Sequence, residues 1–519
     1  MEDHQFHSIF HALSNFTSNT IITVVSDAVL SSIVVLENLE SVAIIGQGNP
    51  TVNCNGVGEI KFVSCNNVII KGVNWERCGS NDSSYPGMEF YNSSNILIQT
   101  CSFHHSTMQA VVMSKMSGNV YINNCQFTHN KYHNGHGATI YYTSAPEQST
   151  RVLLVMNNCD FTMNGPAKSV VYIDSNNRAN DFVSLLLQTS TFTHNQGIPI
   201  YISHTSLILN NSVSFKGNRA TAGGGIYSSN SIIIFGDKCN VSFSDNLAST
   251  NGGTIYQIYS KMFFTMNSAV MFANNSAVKN GGAIFSEGMS LISFEDQSLV
   301  TFSGNRAERD GGAVFVGKCA IYIIGNSTVT FIRNGAKIKG GAVDIIESNI
   351  TFHGSSTVTF SNNSAEDGGA VSVALDNSVM SCGENSSVTF TGNSATYNGG
   401  AIQANESIIT FHGSSTVAFN NNSARYGGAV KVYVLSVGYD SPPKYERIAI
   451  GNPGMSCGDN SKISFNGNSA TVSGGAIYVG YSIITSHASS TMSFGDNSAK
   501  YGGAVYVSIL SCHVVKTQQ

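Results

Sequence analysis

Charge is scarce in this chain: Asp, Glu, Lys and Arg make up only 11% of 519 residues, against roughly 25% in an average domain. Proline and tryptophan are scarce too, at 8 and 1 residues. The net charge is −5 with no basic stripe, which argues against a nucleic-acid partner. No apolar run reaches the roughly 18 residues that a membrane-spanning helix needs. None of the eleven cysteines forms a Cys-x-x-Cys pair, which excludes a zinc ribbon. The first sixteen residues, MEDHQFHSIFHALSNF, lack a basic start and an apolar core, so no signal peptide is readable.

What is present is glycine, at 51 residues, and 42% hydrophobic residues. With so little charge, the polar surface must be Asn, Ser, Thr and Gly. Such a surface suits tight turns and flat, ladder-forming strands.

One pattern recurs ten times: Phe-x-x-Asn-x-Ala, two or three residues, then Gly-Gly. Its Phe residues are Phe215, Phe243, Phe272, Phe302, Phe331, Phe360, Phe390, Phe419, Phe465 and Phe494. Successive copies lie 28 to 30 residues apart, apart from one gap of 46. Ten matches at one period identify a solenoid. The long gap is read as one repeat plus a looped-out insertion at 436–452, with two adjacent prolines.

Each coil reads as three short strands with a period of two, as in Ile350-Thr351-Phe352, Val358-Thr359-Phe360 and Val371-Ser372-Val373. The middle residue of the third strand (Ser372, and Gln403, Lys431 or Asp344 elsewhere) is expected to point outward. Phe302 and Phe360 are expected to stack on the Phe of the next coil, about 4.8 Å away. Asn305 and Asn363 are placed at a turn, with the amide bonding a neighbouring coil. The pairs Gly311-Gly312 and Gly368-Gly369 supply positive φ at the next corner. All eight residues are read as structural.

Looser copies at Phe103, Phe127, Phe161 and Phe192 extend the pattern backward, with strand-like runs at 21–25, 33–36, 42–45, 60–63, 68–70 and 96–98. The expected fold is all-β: a right-handed parallel β-helix solenoid of about 16 coils of about 29 residues, stacked at ~4.8 Å. Phe6, Ile9, Phe10 and Leu13 share one helical face, so residues 1–19 are read as an amphipathic helix capping the first coil. Residues 20–205 are read as irregular coils, 206–511 as regular repeats and 512–519 as a tail.

The Phe-x-x-Asn and Gly-Gly-Ala-Ile/Val/Leu signature resembles the repeats of polymorphic outer membrane proteins. Phe302–Asn305 with Gly311-Gly312-Ala313-Val314 is one example, and Phe465–Asn468 with Gly474-Gly475-Ala476-Ile477 another. The resemblance covers roughly residues 100–507, firmly from 215. It implies a pectin-lyase-like β-helix outside the cell, acting in adhesion or surface coating, with glycans or surface proteins as partners. Unlike the bacterial members, the sequence carries no alternating barrel strands at its C-terminal end, so a secreted form fits as well.

The same superfold hosts polysaccharide lyases and hydrolases. An alternative function is therefore a carbohydrate-active enzyme with its site in the irregular coils 75–205. Trp75, Asp82, Tyr85 and Glu89 form the one local cluster of acids and aromatics there. Gly135-His136-Gly137 falls where the repeat puts its glycine turn and reads as a decayed turn. His129, His133 and His136 read as a polar loop. No residue is assigned a catalytic, metal or cofactor role. His105, His129 and His194 each stand two residues after a repeat Phe, where they could line one edge and titrate together. Cys101, Cys125 and Cys159 each stand two residues before a Phe, where buried thiols or an inter-coil disulfide are both open. Charges also register: Glu308, Arg309 and Asp310, then Lys337 and Lys339, then Glu366 and Asp367, are expected to form a ladder of ion pairs.

Overall fold

The structure is a computed structural model that describes residues 8–79, 85–131, 138–144, 150–175, 183–375, 378–433, 454–487, 489–508 and 515–517. The insertion at 436–452 and residues Asp82, His133, Gly135, His136 and Gly137 lie outside these. The chain divides into two compact units, Met1–Leu247 and Ala248–Gln519. Each is a right-handed parallel β-helix, as the period required.

A coil of the second unit shows the plan. Asn349–Phe352 belongs to the first sheet, Thr357–Ser361 to the second and Val371–Ala374 to the third. A short strand the sequence did not announce, Ser364–Asp367, stands between the second and third. It begins just after the repeat Asn363 and carries Ser364 and Ala365, so that stretch is a fourth sheet rather than a plain corner. Among the described residues the pairings of the first three sheets are parallel and in register, as in Thr359 opposite Thr389 and Phe360 opposite Phe390, while the fourth sheet shifts register between Ala365 and Asp367 and in later coils.

Inward residues build the core. Phe302, Phe331, Phe360 and Phe390 form a column with ring centroids 4.8 Å apart and planes within 5°. Phe302 and Phe360 are fully buried. In the first unit Phe103, Phe127, Phe161, Phe192 and Phe215 stack the same way at 4.6 to 5.0 Å. Burying each ring contributes roughly 1.5–3 kcal/mol.

Beside the rings runs a ladder of buried asparagines. Asn305, Asn334, Asn363, Asn393 and Asn422 each donate a side-chain N–H to the Oδ1 of the next, at 3.0 Å. The amide bonding follows the expectation; the backbone does not. The left-handed residue is the one just before the repeat Asn, such as Asn362 at φ 54° or Gly304 at φ 65°.

The glycine pair splits into two jobs. Gly311 and Gly368 have φ of 66° and 63°. Gly312 and Gly369 are needed for space instead: a Cβ on Gly369 would stand 2.1 Å from the carbonyl oxygen of Gly400 in the next coil.

The helix Ile9–Ser14 buries Ile9, Ala12 and Leu13, and Ser8 caps it by accepting from the His11 N–H. No helix among the described residues is long and apolar enough to cross a membrane.

Candidate functional site

Trp75 is buried, at 2% exposure. It fills the Phe position of its coil, opposite Phe103, and so belongs to the core rather than to a ligand surface. Tyr85 is exposed. Glu89 points outward from the strand Met88–Tyr91 of the third sheet, where Lys61 Nζ lies 2.8 Å from its carboxylate. Trp75 and Glu89 thus face opposite sides of the wall, and the acid–aromatic cluster read along the sequence does not assemble around Trp75.

A different set assembles on the outer face of the third sheet in the first unit. A period of two leaves one outward column of Lys61, Glu89, Val112, Tyr141, Tyr172, Tyr201 and Tyr227. The four tyrosines stack face to face at 4.9, 4.7 and 4.9 Å. They are half-buried, in contrast to the sealed Phe column. Stacking covers the ring faces, so solvent meets ring edges and a row of phenol hydroxyls at the spacing of the coils. Burial pushes the phenols up, Tyr201 to about 12, so all stay protonated and can donate. Lys168 sits over the rings of Tyr172 and Tyr201, at 5.4 and 5.1 Å. Thr143, Asp174, Ser203 and Ser229 form the neighbouring column, with Ser203 buried and the other three half-buried, and the Tyr172 hydroxyl donates to Asp174 at 3.2 Å.

At the other end of this face Glu59 and Glu89 come together. Glu59 is 2% exposed, and burial followed by the Glu89 charge pushes its carboxyl up to about 7. Lys61 pairs with Glu89 at 2.8 Å. Lys115 Nζ meets the Tyr91 hydroxyl at 2.6 Å nearby.

In the second unit the middle of the equivalent column is closed off, while Tyr256, Lys431, Tyr478 and Tyr506 stay half-buried. Asp344, Ser372 and Gln403 are buried, although a period of two faces them outward. Residues just before the glycine pair fold over them. Lys431 donates to Asn398 at 2.6 Å and lies over the rings of Tyr426, Tyr433 and Tyr478. Asn398 also donates to Asp367 at 2.7 Å. The charge register appears as a backbone ladder of Asp310, Lys339 and Asp367, with Lys337 and Glu308 an exposed pair at 3.8 Å. Asp344 has its carboxyl pushed up to about 7, mainly by burial.

Of the histidines, His105 and His129 stack at 5.4 Å, and both have left-handed backbone. Met163 occupies the next position, so His194 does not continue the pair. Glu76, His104 and His105 bring one ligand atom each within 4.8 Å of one another. Cys101, Cys125 and Cys159 are buried thiols. Among the described residues the disulfide joins Cys54 and Cys78 of adjacent coils instead.

The Chlamydia polymorphic membrane protein (Chlamydia_PMP) repeat matches the chain at residues 212–229, 240–257, 269–287, 299–317, 357–374, 387–405 and 462–480. Coils at Phe331, Phe419 and Phe494, outside those matches, pair in the same register. No curated protein matches. Two solved structures of the PL6 family alginate lyase AlyGC, one of them of a mutant, align over 97% of this chain and 98% of theirs. Identity is 8% for both, and the TM-scores are 0.27 and 0.26. The chain is a right-handed parallel β-helix protein built on repeats of the polymorphic-membrane-protein type.

Proposed function

We propose that this is an extracellular, surface-displayed β-helix with an adhesive, ligand-presenting role, and that its ligand face is the outward side of the third sheet in the first unit. The supporting observation is the tyrosine ladder Tyr141, Tyr172, Tyr201 and Tyr227. Nothing in the fold demands it there, because the core already has its own aromatic column. Four hydroxyls repeat at one coil spacing beside Thr143, Asp174, Ser203 and Ser229. That array suits an extended polymer rich in hydroxyls, so the ligand class is a glycan. The Cys54–Cys78 disulfide fits an oxidising compartment, and the repeat family fits display at the surface.

The test is binding of purified protein to a panel of immobilised glycans, with the double variant Tyr172→Ala/Tyr201→Ala beside it. The proposal expects a bound glycan that the variant loses at unchanged folding. Equal binding by the variant, or no glycan bound, would overturn it.

For the enzymatic alternative in the irregular coils 75–205, the acid that comes beside Glu89 is Glu59, which is sealed from any substrate at 2% exposure. Polygalacturonate and other polysaccharides should therefore pass through unchanged in a cleavage assay, and reducing-end release that Glu89→Gln abolishes would restore the alternative.

A further inference from the structure

Adjacent residues of a strand point to opposite faces, so a His-His pair ordinarily divides between core and solvent. His104 and His105 do not. His104 ends the strand Ser102–His104 and faces outward, while Phe103 faces in. At His105 the backbone turns left-handed, at φ 56°. That turn brings the second imidazole edge-on to the first, with centroids 5.5 Å apart. The two Nδ1 atoms stand 3.3 Å from each other. One coil earlier, Glu76 is the register partner of His104 and faces the same way.

The nitrogen separation carries the argument. An ion bound tetrahedrally at about 2.0–2.1 Å from each nitrogen holds them about 3.3 Å apart. The ligand atoms of all three residues lie within 4.8 Å of one another, and an ion holding each at about 2.0–2.2 Å draws the widest pair in to at most about 4.3 Å. We propose that Glu76, His104 and His105 form a binding site for a divalent transition metal of the zinc class, with the fourth position open to water or a ligand.

The surroundings suit that use. Asn53 donates to Glu76 Oε2 at 3.0 Å and orients the carboxylate from behind. The His129 ring stacks on His105 and fixes its plane. The 3.3 Å contact between the two Nδ1 atoms is a hydrogen bond in the metal-free chain, and a bound ion would take the place of its proton. Among the described residues, Arg77 is the cation against Glu76, at 3.8 Å, and its exposed side chain is free to swing away. Two imidazoles and one carboxylate favour zinc, copper, nickel or cobalt over calcium or magnesium.

The experiment uses the full chain, stripped with EDTA and titrated with Zn(II) by calorimetry and with Co(II) by visible ligand-field absorption. One ion should bind per chain, with tetrahedral Co(II) bands. His104→Ala and Glu76→Gln should each weaken binding at least tenfold. His105→Asn gives a variant that folds, because asparagine tolerates the left-handed backbone, and it too should lose the Co(II) bands. The double variant His133→Ala/His136→Ala should bind as the parent does. Absence of stoichiometric binding would overturn the proposal. So would binding that survives in His105→Asn with an unchanged circular dichroism spectrum, or binding that disappears in the His133/His136 variant.

Discussion

Asn363 Oδ1 receives two hydrogen bonds from Asn334 one coil below: the backbone N–H at 2.9 Å and the side-chain N–H at 3.0 Å. Its own Nδ2 donates to the Phe331 carbonyl at 3.0 Å and to Asn393 Oδ1 at 3.0 Å. One buried amide therefore bonds a backbone donor just past one strand, at Asn334, and a backbone acceptor within it, at Phe331. Asn363→Ala removes both bonds, at a cost of about 1–3 kcal/mol for each unmade bond. Urea unfolding should show a loss on the order of 3 kcal/mol, and Asn363→Asp, which keeps the acceptor and loses the donor, should also be destabilised. A loss below about 1 kcal/mol in Asn363→Ala would mean the ladder is incidental.

Two glycines of neighbouring coils should respond in opposite ways. Gly369→Ala puts a methyl group 2.1 Å from the Gly400 carbonyl oxygen. Relief requires the coils to part, so the variant should lose more than about 4 kcal/mol or fail to fold. At Gly335 the nearest atom to a new Cβ is Ser364 Oγ at 3.6 Å, an ordinary contact. Its register partner is already a serine. Gly335→Ser should therefore sit within about 0.5 kcal/mol of the parent in the same urea series.

Asp344 gives a dependence on pH. Its carboxyl is raised from 3.8 to about 7 in the folded chain, chiefly by burial. The folded state then holds the proton more tightly than the unfolded one. The contribution to stability is complete below pH 4, declines as pH rises, and is gone above pH 7. Asp344→Asn keeps the shape without the titration. Thermal melts should show nearly equal Tm for the two proteins at pH 4, and a higher Tm for the variant at pH 8. A difference that does not change with pH would contradict the assignment. Glu59, raised in the same direction, should give the first unit a parallel trend.

The repeat was legible because its residues are needed individually. Phe must stack on Phe, Asn must bond Asn, and the second glycine must clear a carbonyl, so each coil repeats the same letters. The fourth strand was not legible, because the two to five residues that follow the repeat Asn carry no period. The burial of Asp344, Ser372 and Gln403 was hidden for a related reason: polar letters at outward positions look solvated until another segment is seen to cover them. Trp75 was misplaced because its coil substitutes the ring of the column, and a lone Trp near acids resembles a binding residue. Glu59 meets Glu89 across thirty positions, and only the coil register of the looser half reveals that. The His104–His105 convergence rests on one positive φ that no spacing announces. Of its two histidines only His105 stood out in the sequence, for its place two residues after the Phe, which led instead to an edge that Met163 interrupts.

The central claim is that coils stack one per repeat, in register, whatever chain lies between them. Thr301, Thr330, Thr359, Thr389, Ala418 and Ser464 are successive register partners in the second unit. The segment Thr416–Asn420 pairs directly with Lys462–Asn466, so the long gap adds no coil. Spin labels at Thr301 and Ser464, both on the outer surface, are thus five coils apart, or about 24 Å at ~4.8 Å per coil. Pulsed electron paramagnetic resonance should return one narrow distance near that value, with Thr301 and Ala418 one step of ~4.8 Å shorter. A broad distribution, or a distance longer by one or more coils, would contradict the account.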